Sequence, residues 1–224
     1  MLHAETEQEI LDAPIQNGAR GNDKILPGDY IYKDMNEDGI INSNDMVPLF
    51  FSGYPKLFYG LSLSGSWKGL DFSMVFHGSG FNTIRFQEMY AEVLAYNLNT
   101  PAYFYDRWHR ADIYDENSEW VPGKWPSTRL INDAGSNYNE SSVWRRDVTY
   151  LRLKNLTIGY TLPQRWTAKV GISKARVYVN GNNVFTICDP FVKPFDPEKT
   201  VGTSSMGCNY PLMQSWNFGV NISF

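Results

Sequence analysis

The chain contains 224 residues with a formal net charge of −4, and 15% of its residues are aromatic. This acidic balance argues against a nucleic-acid-binding protein, which presents a basic surface. No stretch approaches about 18 consecutive apolar residues, so the sequence predicts no transmembrane helix. The charge is uneven, because residues 1–55 hold 10 acids and 3 bases whereas residues 56–224 carry a net +3. We therefore predict two regions, an acidic segment at 1–55 and a strand-rich segment at 56–224.

The acidic segment contains a run with the spacing of a calcium-binding loop. In such loops, side-chain oxygens stand at positions 1, 3 and 5, a glycine allows a sharp turn at position 6, and position 12 is acidic. Gly39 is that glycine here. The predicted ligands are Asp34, Asn36, Asp38, the Ile40 carbonyl, Asn42 and Asp45. The alternative is an acidic turn that Asx hydrogen bonds hold without Ca²⁺.

A two-residue period begins after residue 56 and predicts a hairpin of two long strands around the turn Lys68–Gly69. Side chains on a strand alternate between its faces, so the apolar residues share one face. These residues are Leu57, Tyr59, Leu61, Leu63, Trp67, Leu70, Phe72, Met74 and Phe76. Serine and glycine dominate the opposite face of the first strand, which suits a water-filled interior better than a dry core.

The period is lost over residues 82–147, which are rich in tyrosine and tryptophan. A loop of this length is unusual in a compact soluble domain, but it is common on the outer side of a large membrane barrel. Trp108, Trp120 and Trp125 are candidates to stack on the sugar rings of a substrate. The alternative is that these rings pack the loops together.

Strand character returns at Val148–Leu162. Leu151 and Leu153 have one parity and Leu156 the other, which predicts a bulge near Lys154 and Asn155. Alternation resumes around Val177, and the stretch Pro211–Phe224 forms a long amphipathic strand with Phe224 at its end.

The connections between these strands are alternately long and short, an asymmetry that is typical of outer-membrane barrels. We therefore predict an all-β fold made of antiparallel strands of a large transmembrane barrel, with long extracellular loops. Five strands are fewer than the eight or so that the smallest such barrel needs, so we expect the chain to be the last part of a longer one. The alternative is a soluble, secreted β-sandwich that binds glycans through its aromatic loops.

No pattern supports catalysis, so we expect the protein not to be an enzyme. The three histidines lack metal-ligand spacing, and neither a nucleophile elbow nor a phosphate-binding glycine loop is present. Cys188 and Cys208 share one predicted extracellular loop, and the sequence is compatible with either a disulfide or two free thiols.

Several stretches of the chain form a recognisable series. They are Pro27–Asp34, Tyr105–Trp108 followed by Pro126 and Arg129, Tyr150–Pro163, Asn180–Asn183 and Tyr210–Phe224. In this order they resemble parts of the SusC/RagA-type TonB-dependent outer-membrane transporters. The resemblance covers roughly residues 5–224 and is more specific than any one motif.

The resemblance implies a place for the chain in the bacterial outer membrane, as the C-terminal part of a 22-stranded barrel with an internal plug. It implies nutrient uptake, namely the import of glycans or peptides, with a SusD-like surface lipoprotein as a lid and energy from the TonB complex. On this view residues 1–55 are an acidic extracellular loop with the calcium-like motif, and residues 56–224 are barrel strands with extracellular loops. Phe224 resembles the signal that the barrel-assembly machinery reads.

Overall fold

A computed structural model gives the fold of the chain. It describes residues 2–16, 21–86, 90–93, 99–129, 135–198 and 210–224. No helix in these ranges has the length and hydropathy needed to cross a membrane.

The described chain divides into two compact units. A loop unit combines residues 2–50 with 85–146, and a sheet unit combines residues 51–84, 147–198 and 210–224. The sequence predicts one long irregular loop over residues 82–147, and most of the described residues in this range belong to a unit with its own buried core. The extracellular position of residues 1–55 stays a prediction.

The sheet unit contains five long strands. They are β1 (Leu57–Trp67), β2 (Leu70–Gly80), β3 (Tyr150–Thr161), β4 (Lys174–Ile187) and β5 (Ser215–Ser223). They form one antiparallel sheet in the order β5-β4-β3-β2-β1. The hairpin between β1 and β2 has the predicted turn, in which Lys68 and Gly69 both have positive φ, +50° and +92°. Two such residues make the tight turn whose twist matches that of the paired strands.

Cross-strand pairing sorts the residues of the sheet into an apolar face and a polar face. One apolar row crosses all five strands through Trp67, Leu70, Tyr160, Val177 and Val220. A polar row on the opposite face runs through Ser64, Ser73, Thr157, Asn180 and Asn217. The apolar row is open to its surroundings, and the exposed fraction of its side chains runs from 36% at Tyr160 to 70% at Trp67.

A bulge at Lys154 keeps the apolar face continuous. Val75 pairs with Asn155 and the next residue of β2, Phe76, pairs with Leu153, so Lys154 is the extra residue of β3. Because one residue is inserted, Leu153 and Leu156 lie on the same face despite their opposite parity. The bulge predicted near Lys154 and Asn155 is confirmed.

The loop unit is built from short elements. A helix, α1 (Glu7–Asp12), begins at Thr6, whose Oγ1 accepts a hydrogen bond from the Glu9 N–H at 3.2 Å. The strand Leu2–His3 pairs with Tyr30–Ile31, and His109–Arg110 pairs with Trp120–Val121. The 3-10 helices of this unit are Ser43–Asp45, Ala102–Tyr105 and Gly135–Tyr138.

The remaining elements are also short. The connection between β3 and β4 contains α2 (Gln164–Thr167) and the 3-10 turn Ala168–Val170, and the connection after β4 contains the 3-10 turn Lys193–Phe195. The strands Thr83–Arg85 and Arg145–Asp147 lie where the chain passes between the units.

Candidate functional site

The polar face of the sheet is lined with side chains that can form hydrogen bonds. Asn180 Nδ2 donates to Thr157 Oγ1 at 2.8 Å. Arg176 Nε donates to Asp71 Oδ1 at 2.9 Å and spans the intervening strand at Gly159. A Cβ atom at Gly159 would lie 2.2 Å from Arg176 Nη2, so glycine is required for the ion pair to cross β3. This face can contact a hydrated solute or a polar protein surface.

Four charged side chains form an ion cluster at the end of the polar face from which the long connections leave. They are Arg152, Lys154, Asp196 and Glu198. Arg152 donates to Asp196 Oδ1 at 2.7 Å, to Glu198 Oε2 at 2.8 Å and to Thr186 Oγ1 at 2.7 Å. Lys154 Nζ donates to both Glu198 oxygens, at 2.8 and 2.7 Å.

Asp196 stays ionised although it is buried. Burial disfavours its charged form, but Arg152 and the backbone N–H groups of Leu212 and Glu198 donate hydrogen bonds to its carboxylate. The pKa of Asp196 is therefore held below its usual value.

The loop unit has a buried polar network around Asp29, which is fully buried. Its Oδ1 accepts hydrogen bonds from Ser127 Oγ and Asn137 Nδ2, both at 2.8 Å, and its Oδ2 pairs with Arg129. Asn137 Oδ1 in turn accepts a bond from the Tyr30 N–H at 2.9 Å. The network joins segments that are about a hundred residues apart in the chain.

An aromatic core fills the loop unit beside this network. Trp125 stacks on Trp144 with ring centroids 5.4 Å apart, and Tyr103 lies 4.8 Å from Trp125. Trp108 packs against His3 at 6.1 Å. A Cβ atom at Gly28, where φ is +89°, would collide with Trp108 at 2.3 Å.

The structure therefore gives two of the three candidate sugar-stacking rings a packing role. Trp108 is 6% exposed and Trp125 is 4% exposed, so neither ring offers a free face to a ligand. Trp120 is half-buried under the Arg110 guanidinium, 4.4 Å from its ring centroid. A substrate contact of Trp108, Trp120 or Trp125 stays a prediction, and Trp120 is the most accessible of the three.

Hydrogen bonds within the acidic loop hold it closed. Asp34 accepts the N–H groups of Glu37 and Gly39, both at 2.7 Å, and Asp45 accepts those of Asn42 and Met35 at 2.7 and 2.9 Å. These bonds, led by that from Asn42, hold the pKa of Asp45 below its usual value.

The fit of this loop to Ca²⁺ is partial. Each carboxylate oxygen that accepts one N–H bond keeps a second lone pair for a cation. In the described part of the chain, however, no three acidic, histidine or cysteine side chains converge as ligands. Calcium binding would therefore draw Asp34, Asp38 and Asp45 together, and the site stays a prediction.

Cys188 follows β4 and is partly exposed, and burial raises the pKa of its thiol. Cys208 lies outside the described residues, so the pairing of the two cysteines stays open.

Sequence reasoning missed Asp29 and the acids of the ion cluster. Asp29 and Asn137 are 108 residues apart, and Arg152 and Asp196 are 44 residues apart. Sequence motifs with fixed spacing do not connect residues that are so far apart in the chain. The only signal for Asp29 was that Pro27–Asp34 and Arg129 belong to stretches with the same family resemblance.

We predict that Asp38→Ala abolishes calcium binding by the native protein. The wild type should bind with a dissociation constant on the order of 10⁻⁴–10⁻³ M, as extracellular calcium loops do. Glu37→Gln, which removes a charge from a non-ligand position of the same loop, should leave the calorimetric heats unchanged. Equal heats for Asp38→Ala and wild type would reduce the loop to an acidic turn.

We predict that Asp29→Ala destabilises the loop unit by about 3–5 kcal/mol, because Arg129, Ser127 and Asn137 lose their acceptor in a buried site. Hydrogen exchange of the backbone amides in this unit measures the change. The control is Asp23→Ala, since the Asp23 side chain is exposed. Similar exchange in the two variants would contradict a central role for Asp29.

Comparisons with known proteins agree with this architecture. The chain is 28% identical over 228 residues to TonB-dependent receptor P26 of Formosa agariphila, a match that covers 97% of the chain and 21% of the receptor. It is 24% identical over 216 residues to TonB-dependent receptor P3 of the same organism, covering 88% of the chain and 19% of that receptor. No protein-family model matches the chain.

Solved structures of RagAB complexes have a similar fold. The RagAB peptide transporter matches 78% of the chain and 18% of its own chain, with 26% identity and a TM-score of 0.53. The RagAB peptide importer in the closed-closed state matches 87% of the chain and 21% of its own, with 24% identity and a TM-score of 0.58. The second likeness shows the fold alone.

The chain spans about a fifth of the length of the relatives that it matches. The order of its strands and the two faces of its sheet agree with these likenesses. Together they support a fragment of a SusC/RagA-type TonB-dependent receptor whose sheet is part of a β-barrel.

Proposed function

We propose that this chain forms part of the wall and outer loops of an outer-membrane barrel that imports glycans or peptides with energy from the TonB complex. The observation that carries the proposal is the pair of opposite faces on one sheet. The paired residues of the apolar face include no charged side chain. Such a face suits contact with lipid, where a Lys or Arg near the bilayer midplane costs about 2–4 kcal/mol.

The lengths of the connections indicate which end of the sheet faces the exterior. A two-residue turn joins β1 to β2 and residues 162–173 join β3 to β4, whereas residues 81–149 join β2 to β3. Successive antiparallel strands put these connections at opposite ends of the sheet. Short turns face the periplasm and long loops the exterior in barrels of this class, so the loop unit is proposed to be extracellular.

The proposed partners follow from the relatives. The RagAB structures are described as those of a peptide transporter or importer, and these complexes support a partner lipoprotein of the SusD kind for this chain. We propose that the partner covers the outer loops, and that the substrate is a glycan or a peptide. Ca²⁺ in the acidic loop would stiffen part of the outer surface.

The soluble β-sandwich has less support. A sandwich buries the apolar face of each sheet against a second sheet. Here Phe218 is 83% exposed and Val220 is 60% exposed in the described structure.

We predict that Leu63→Lys and Ser64→Lys have opposite outcomes. The two residues are neighbours near the middle of β1, and they belong to the apolar and the polar face. Leu63→Lys should destabilise the native protein in lipid vesicles by about 2–4 kcal/mol, and Ser64→Lys should change its stability little. Denaturant titration of the refolded protein measures both. Equal effects would contradict a lipid-facing apolar side.

We propose that Phe224, which is 90% exposed and follows β5, is part of the signal read by the barrel-assembly machinery. Phe224→Ala should slow the appearance of heat-modifiable folded protein in a pulse-chase experiment and leave the melting temperature of the inserted protein near that of wild type. Phe218→Ala removes the same ring inside β5 and serves as the control. Normal insertion of Phe224→Ala with a lowered melting temperature would show that Phe224 acts in packing.

A further inference from the structure

The ten residues that follow Cys188 form a compact segment, here called the strap (residues 189–198). The backbone carbonyl of Asp189 accepts the N–H groups of Val192 and Lys193, both at 3.0 Å, so the chain turns sharply after β4. Val192 is fully buried, and the rings of Phe191 and Phe195 lie 5.7 Å apart. The strap is therefore a folded element with its own small core.

The strap lies against the polar face of the sheet. Arg152 belongs to that face, since its neighbours across the strands are His77 and Thr186. Its side chain is only 5% exposed, whereas Ser64 and Asn155 on the same face are exposed. The two acids of the strap, Asp196 and Glu198, bind Arg152 directly.

The two acids hold the strap in different ways. Asp196 is 3% exposed and also accepts the N–H of Leu212 at 2.7 Å, so it ties the strap to the segment before β5. Glu198 and Lys154 are 27% and 29% exposed, so their ion pair is the part of the cluster that water reaches. Lys154 is the bulge residue of β3 and has no partner on β2 in the register, which leaves its side chain able to reach the strap.

We propose that the strap is a fixed constriction on the inner wall of the barrel, fastened by the ion pair between Lys154 and Glu198 over the buried pair between Arg152 and Asp196. This inference rests on the proposed function, because the polar face lines a passage only in a barrel. A solute that enters from the side of the long loops meets the strap before it reaches the polar row through Ser64. The strap then limits the width of the passage that leads to the polar row through Ser64 and Thr157.

Hydrogen exchange tests how the strap is fastened. In the native protein, Glu198→Lys places a positive charge beside Arg152 and Lys154, and the amides of Val192, Phe195 and Leu212 should exchange about fivefold faster, as loss of a partly exposed ion pair predicts. The swap Lys154→Glu with Glu198→Lys should restore slow exchange. Glu140→Lys, which reverses the charge of another exposed ion pair, should leave the strap unchanged.

Two results would overturn the proposal at this step. One is unchanged strap exchange in Glu198→Lys, and the other is failure of the swap to restore protection while the amides of β4 remain protected. The first result would mean that the apolar contacts of Val192 and the phenylalanines hold the strap without the ion pair. The second would mean that Glu198 holds the strap through Arg152 and not through Lys154.

Access to the polar face tests the constriction. In a variant with Cys188→Ser and Cys208→Ser, the added substitution Ser64→Cys is labelled from outside the cell with a small and with a bulky maleimide. Adding Glu198→Lys should speed the bulky reagent and leave the small one unchanged. An equal effect on both reagents, or none on either, would overturn the constriction. Failure of the barrel itself would appear separately, as equal effects of Leu63→Lys and Ser64→Lys.

Discussion

The antiparallel register that joins β2 to β3 is the constraint on which the rest of the sheet depends. Side chains alternate between the faces of a strand, so a slip of one residue exchanges every apolar side chain of β3 with its polar neighbours. The parity of the apolar residues of β3 changes between Leu153 and Leu156. The bulge at Lys154 offsets this change, so both leucines lie on the apolar face. The inserted residue of β3 therefore keeps the apolar face unbroken from β2 to β3, and a second irregularity, between Asn182 and Phe185 of β4, continues it to β4.

The two faces use polar groups differently. The apolar face has no charged member among its paired residues, which suits lipid contact. On the polar face, Asp71 and Arg176 form one ion pair and Arg152, Lys154, Asp196 and Glu198 form a cluster. The four charges of the cluster balance, so the strap can bury Arg152 without leaving an unpaired charge.

The loop unit solves a different problem, because it must hold long irregular segments without extended strands. Asp29 holds these segments together, because its one buried carboxylate accepts hydrogen bonds from Ser127, Asn137 and Arg129. The aromatic rings around Trp125 supply the apolar part of the same core. Two of the stretches that carry the family resemblance thus meet in the loop unit, where Gly28 lies against Trp108.

The sequence by itself determined the strands, the tight turn at Lys68–Gly69 and the bulge, because alternation and turn chemistry are local properties of the backbone. It also supplied the alternative that Trp108 and Trp125 pack the loops. Only the tertiary structure decided that Trp108 and Trp125 are buried, that Asp29 is a buried centre, and that Asp196 and Glu198 bind Arg152. These contacts join residues that are 44 to 108 positions apart, and their partners are chosen by the packing of whole segments, which no local pattern encodes.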